Sequence, residues 1–218
     1  MLSGPVLIVG ASRGIGAELV RQYLAEGRRV HATVRDIASP GDLAAVGGDL
    51  ILHQLDVRDQ ARTVELATKL SADRLAVAIH NAGINRGHSA AELREVNAAA
   101  PIRLVGQLLN AGAVTPGGVV AIMTSQMGAR QGSTSRLGDY GESKAALNDE
   151  FRRRAHDWGQ RGVIAVVIHP GWVRTDMGGD SAPLGVGESV TGIRNLVAGL
   201  TRADHGRFWT WDGREHPW

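Results

Sequence analysis

Two side chains with complementary chemistry stand four residues apart in the stretch "GDYGESKAALNDEFRRR": Tyr140 and Lys144. Tyr140 is one of only two tyrosines, and Lys144 one of only two lysines among 24 Lys and Arg. On a helix, positions i and i+4 share a face, so phenol and ammonium project into the same space. A free phenol titrates near ~10, so it can give a proton to a carbonyl oxygen but is a poor base at neutrality. A cation at ~4 Å, with an effective dielectric near ~20, favours the phenolate by roughly 4 kcal/mol, or about three pKa units. The pair is therefore expected to pull the phenol down and make proton transfer reversible. Ser125, just past the apolar run "GGVVAIMT", offers a hydroxyl that can hold a substrate oxygen, with Thr124, Ser133, Thr134 and Ser135 as competing hydroxyls.

A second chemistry is written in "GASRGIGAELV". Gly10, Gly14 and Gly16 follow an apolar run and precede amphipathic spacing, the setting in which N–H groups at a helix N-terminus receive a pyrophosphate. No Gly-Lys-Ser/Thr follows, so this is not a Walker loop. In "HATVRDIAS", Arg35 occupies the place where an acid would bind a ribose 2′-hydroxyl and an arginine a 2′-phosphate. Asp36 follows it and keeps both readings open. Arg13, inside the glycine loop, adds a second cation, and together the arginines favour NADP(H) over NAD(H).

These groups need a scaffold that gathers distant loops. Short apolar runs recur at 5–10, 28–34, 49–55, 74–80, 117–124, 162–169 and 206–211, and segments with helical apolar spacing lie at 15–26, 59–70, 90–112, 139–159 and 187–201. Apolar strands alternating with helices predict an α/β fold: a doubly wound (Rossmann) domain with a seven-stranded, mostly parallel sheet covered on both faces. Ligands of such sheets bind at the carboxyl ends of the strands, where the candidate residues above fall. No linker or repeat divides the chain, so residues 1–218 read as one domain.

Composition narrows the function classes. The formal charge of +2 is too small, and the basic residues too dispersed, for a nucleic-acid surface. Without cysteine there is no disulfide framework or thiolate metal site, and the eight histidines show no HExxH spacing, so no metal is expected. The run "PVLIVG" is too short to span a bilayer and has no basic leader. A cytoplasmic protein is expected, with neither membrane nor nucleic acid as partner.

Taken in order, "GASRGIG", "NAG" at 81–83, Asn97 in "REVNAAAP", Ser125 in "AIMTSQMG", "YGESK" and "HPGWVRTDMGG" resemble the short-chain dehydrogenase/reductase family along essentially the whole chain. "PGWVRTDMGG", "APLGVGESV" and "DGREHPW" are similar to its C-factor and sniffer-like carbonyl reductase group. The resemblance implies an NADP(H)-dependent oxidoreductase moving hydride between nicotinamide and a carbonyl or secondary alcohol. In it Tyr140 would be the general acid/base, and Lys144 would hold the nicotinamide ribose. Ser125 would bind the substrate oxygen, while Asn97 would hold a water linking Lys144 to solvent. It further implies that Gly10, Ser12, Arg13, Gly14, Ile15 and Gly16 line the pyrophosphate, with Arg35 at the 2′-phosphate. Asp56 and Val57 would meet adenine, although Asp56 could equally be a helix N-cap; Asn81, Ala82 and Gly83 would lie beside its ribose. Pro170, Gly171, Val173 and Thr175 would fix the nicotinamide. A substrate lid over about 172–188 should give a pocket lined by Trp172, Met177, Leu184, Gln126 and Met127. The family often pairs subunits through helices matching 90–112 and 139–159, implying a homodimer or homotetramer. A dinucleotide-binding regulator without turnover is the alternative, against which the full set Asn97, Ser125, Tyr140 and Lys144 weighs.

Overall fold

The computed structural model describes residues 3–131 and 138–218. Seven strands, β1 (Val6–Val9), β2 (Val30–Val34), β3 (Leu50–Gln54), β4 (Leu75–His80), β5 (Val114–Met123), β6 (Ile164–His169) and β7 (Phe208–Thr210), form one sheet in the order β3-β2-β1-β4-β5-β6-β7. Every neighbouring pair is parallel, so a mostly parallel expectation becomes a wholly parallel sheet among the described residues. Six helices accompany it: α1 (Gly14–Ala25), α2 (Gln60–Leu70), α3 (Ala90–Arg94), α4 (Ala100–Asn110), α5 (Gly138–Gln160) and α6 (Val186–Gly199).

The strands are apolar throughout because helices cover both faces. Alternation along each strand sorts the side chains: Leu7 and Val9 of β1 enter one core, Val6 and Ile8 the other. The first core receives Leu66 of α2, Leu108 of α4, and Leu147 and Phe151 of α5. Leu19 and Val20 of α1 and Ile193 of α6 fill the second. Each such side chain contributes roughly 1.5–3 kcal/mol on burial, so α5 is held to the sheet by its apolar stripe rather than by its polar face.

Two local departures from the expected elements matter. The segment expected as one helix over 90–112 is α3, opened by a Ser89–Glu92 capping box, then a π-helical turn (Glu95–Ala99), then α4. Pro101 has no N–H for the carbonyl four residues back, that of Asn97, and the helix widens so that Ala100 donates to Glu95 instead. Strand β5 begins at Val114, earlier than the apolar run suggested, because a register irregularity absorbs the "TPGG" stretch. Among the described residues no helix is long and apolar enough to cross a membrane.

β1 pairs with β2 on one side and β4 on the other, so the chain reverses direction across the sheet there and opens a crevice at the carboxyl ends. At the opposite end His31 and His53 bury against each other, Nδ1 to Nε2 at 3.0 Å. Burial, chiefly, lowers His31, takes His53 and His169 down to about 4 and takes His80 to about 3, so all four are neutral at pH 7. An unfolded histidine titrates near ~6.5, so the unfolded chain takes up protons first as the pH drops and the fold loses stability between about 6.5 and 4. Urea unfolding is expected to show a loss of several kcal/mol from pH 7 to pH 4, smaller in His53→Leu; equal pH dependence in that variant contradicts this account.

Candidate active site

A cavity of about 650 Å³ occupies the crevice, fed by the ends of β1, β2, β4, β5 and β6. Its floor is the glycine loop. Gly10 donates its N–H to Thr33 Oγ1 (3.0 Å) and its carbonyl accepts from Asn81 Nδ2 (2.8 Å), so the loop is tied to both neighbouring strands. At φ +79° Gly10 sits where L-residues rarely go, and a Cβ there would meet Ala82 at 2.6–2.8 Å. A Cβ on Gly16 would strike the Gly10 carbonyl at 2.1 Å, which is why Gly16 shapes the loop from behind and does not line the cavity. Arg13, the N-cap of α1, offers no side-chain cap, and the first turn holds no acid. The start of α1 thus lies along the cavity with no side chain capping its first N–H groups and with the positive end of the helix dipole there.

Ser12, Arg13, Gly14 and Ile15 line this floor, and Arg35 lines the wall beyond β2. Asp36 does not: its carboxylate accepts from the Ala38 N–H (2.9 Å) in its own turn. Asp56 and Val57 line the adjoining wall, where Arg58 clasps the Asp56 carboxylate at 2.6 Å. The N-cap of α2 is Asp59, accepting from Arg62 N–H at 3.0 Å, which settles the alternative for Asp56. Asn81, Ala82 and Gly83 form the far side.

Asn97 is fully buried. Its Oδ1 accepts from Ile84 N–H and its Nδ2 donates to Ile84 carbonyl, both at 2.9 Å, and Nδ2 donates also to Ser143 Oγ at 3.0 Å. One amide so joins the loop after β4 to α5. The ammonium of Lys144, 5% exposed, donates to the Met123 carbonyl at 3.0 Å. Burial alone pulls this lysine down to about 8.

Ser125 is buried just past the end of β5, accepts from the Met127 N–H (3.1 Å) and stands close enough to the Tyr140 phenol to lower its pKa. Gly128 lies against α5, where a Cβ would meet the Lys144 backbone at 2.6 Å. Thr124 spends its hydroxyl on Asn148 Oδ1 (2.7 Å), while Ser133, Thr134 and Ser135 lie outside the described residues. The phenol does not titrate low as the spacing suggested. Burial raises it to about 12, offset in part by Ser125, while the ammonium is engaged with Met123.

After β6, Pro170, Thr175 and Met177 line the cavity, and Gly171, Val173, Trp172 and Leu184 do not. Val173 and Leu184 form a buried β-bridge, and Leu184 packs where a Cβ on Gly171 would stand. Trp172 is exposed, its Nε1 donating to the Gly178 carbonyl (2.8 Å). Gln126 and Met127 sit on a 3₁₀ turn (Gln126–Gly128), outside the cavity wall, as does Ser125 itself. Sequence reasoning missed Arg58, Arg174 and Asp176 on the rim, charges that no spacing rule selects. Among the described residues no group of three or more metal-ligating side chains converges.

The cradle, the buried lysine and the serine–tyrosine contact define a class, and comparison agrees: residues 5–183 match the short chain dehydrogenase family model, so the chain belongs to that family. Among its relatives, C-signal of Myxococcus xanthus is 35% identical over 165 residues, spanning 70% of this chain and 98% of that protein. A carbonyl reductase from Pseudomonas aeruginosa, solved in complex with NADP, superposes with a TM-score of 0.83 at 36% identity, covering 99% of this chain and all of the other. The carbonyl reductase Sniffer of D. melanogaster gives 0.87 at 27% identity over 99% and 100%.

Lys144 is costly to the fold. Between pH 8 and about 10.5 the folded lysine is already neutral while the unfolded one is charged, so its ionisation penalty is present below that window and vanishes above it. Lys144→Met is expected to be more stable than the parent by about 1 to 3 kcal/mol at pH 7, with the gap closing by pH 10.5. A variant less stable at pH 7, measured by urea unfolding, contradicts this.

Proposed function

We propose that this protein is an NADP(H)-dependent reductase of carbonyl compounds, the reverse oxidation of a secondary alcohol being the same chemistry. The observation that carries it is the protonated Tyr140 phenol standing close enough to Ser125 for that hydroxyl to lower its pKa, beside a cavity floored by a helix N-terminus with no side-chain cap. The cavity suits a phosphorylated dinucleotide: the uncapped N–H groups of α1 would hold the pyrophosphate, and Arg13 and Arg35 would hold an extra phosphate, with Asp36 outside the cavity lining. Lys144 would hold the ribose, Thr175 and Pro170 the nicotinamide end, and Asp56 with Val57 the adenine. When bound, the reduced cofactor supplies the hydride that the carbonyl carbon receives.

The chain's own residues handle the proton. Ser125 holds the substrate oxygen, and Tyr140 Oη gives it a proton as that oxygen gains negative charge. A phenol raised to about 12 is fully protonated at neutral pH and so stocked for donation. Lys144, lowered to about 8, moves a proton readily near neutrality and recharges the phenol. Asn97 acts by position: its side chain braces Ile84 and Ser143, and its carbonyl, which Pro101 cannot serve, would accept from a water linking Lys144 to solvent. In this single-domain reading, residues 172–188 cover the substrate.

Support for the NADP(H) assignment includes the P. aeruginosa relative solved with NADP. Tyr140→Phe is expected to bind NADPH unchanged while losing ~10²- to 10⁴-fold in carbonyl reduction, followed by NADPH absorbance with aldehydes, ketones and quinones. A rate within threefold of the parent removes Tyr140 as the acid, and NADPH binding with no turnover of any carbonyl returns the protein to a binding role. Arg35→Ala should narrow the preference for NADPH over NADH by about 1 to 3 kcal/mol in fluorescence titration.

A further inference from the structure

One charged contact crosses the mouth of the cavity. Arg13 Nη1 reaches Asp176 Oδ2 at 3.0 Å, joining the glycine loop to the turn after β6, and both residues line the cavity. The two ends differ in how firmly they are set. Asp176 projects from a braced turn: Gly178 donates its N–H to Thr175 Oγ1 (3.2 Å), Gly179 to the Thr175 carbonyl (2.8 Å), and Trp172 Nε1 to the Gly178 carbonyl. Arg13 is the N-cap of α1, and only its long side chain is needed to span the gap. With side-chain exposures of 68% and 75%, the pair is solvated and weak enough to exchange partners.

We propose that Asp176 is a specificity-determining competitor for Arg13, holding this arginine across the cavity mouth until the extra phosphate of NADP(H) displaces the carboxylate. The inference rests on the NADP(H) reading above. A carboxylate with one charge on an exposed arginine is readily displaced by a phosphate that carries more charge and three acceptor oxygens. Arg35, on the wall, keeps its charge facing the cavity and needs no such exchange. The discrimination between NADPH and NADH is therefore set by two arginines and tempered by one aspartate. NADH, lacking the additional phosphate, leaves the Arg13–Asp176 pair intact.

The test is direct titration of NADPH and NADH by nucleotide fluorescence with the parent, Asp176→Asn, Arg13→Ala and the double variant, at low and high NaCl. Asp176→Asn is expected to tighten NADPH by about 2- to 5-fold at low salt and NADH by less than that, because an exposed ion pair is worth at most about a factor of five. The gain should fade at high salt and be absent in the Arg13→Ala background. A parent that binds NADPH while Asp176→Asn leaves its affinity unchanged, tightens both nucleotides equally, or acts the same without Arg13, overturns the competitor role alone. A parent that binds neither nucleotide overturns the NADP(H) reading and this inference with it.

Discussion

Burying one ammonium is the constraint around which this site is arranged. Lys144 lies 5% exposed beneath the crevice, and a charge there stands only because the Met123 carbonyl at the end of β5 accepts from it. That hydrogen bond requires α5 to lie close on β5, and the closeness is possible because Gly128 presents no side chain to the Lys144 backbone. The same approach brings Ser125 to Tyr140. A stability cost at one residue and the assembly of the proton-handling pair are thus consequences of a single packing decision.

The phosphate end of the cavity is built on the same economy of side chains. Gly10 and Gly16 are required by backbone and Ala82 contacts, so two of the three loop glycines serve the shape of the loop rather than contact with an anion. Gly14, at φ +57° and lining the cavity, is the one where a Cβ would meet the Thr175 side chain, at 3.3 Å, instead of the loop's own neighbours. Around this floor two charge pairs stand opposed, Arg13 with Asp176 and Arg58 with Asp56, while Arg35 and Arg174 line the cavity with no ion-pair partner among the described residues.

Asn97 shows how a helix defect becomes a structural joint. Pro101 withholds the N–H that the Asn97 carbonyl would receive in an α-helix, the π-helical turn follows, and the Asn97 side chain is turned into the protein to clasp Ile84 and Ser143. The "NAG" loop and the "YGESK" helix, separate in sequence, are bolted together through it. His80, the last residue of β4, is buried in the same region with an unpartnered Nε2 and neutral beside Lys144.

Much of this was legible before any coordinates. Strand and helix order follow from period and turn chemistry, because a buried parallel strand must be apolar throughout and a covering helix must carry one stripe. The i, i+4 spacing of Tyr140 and Lys144 and the glycine loop before α1 are likewise local, and short-range geometry is what sequence encodes most directly. Other outcomes depended on which distant atoms met. Whether Lys144 would act on the phenol or on a carbonyl was decided by β5, whose Met123 took the ammonium while burial raised Tyr140. Which of Arg35 and Asp36 lines the cavity followed from the turn after β2, where Asp36 accepts from the Ala38 N–H and Arg35 stays on the wall. Val173 and Leu184 passed from expected site residues to a buried bridge, and Asp176 became a rim charge. Sequence determined the elements and the reactive groups they carry; tertiary structure decided their partners, because burial and hydrogen bonding depend on neighbours that the chain brings together only when it folds.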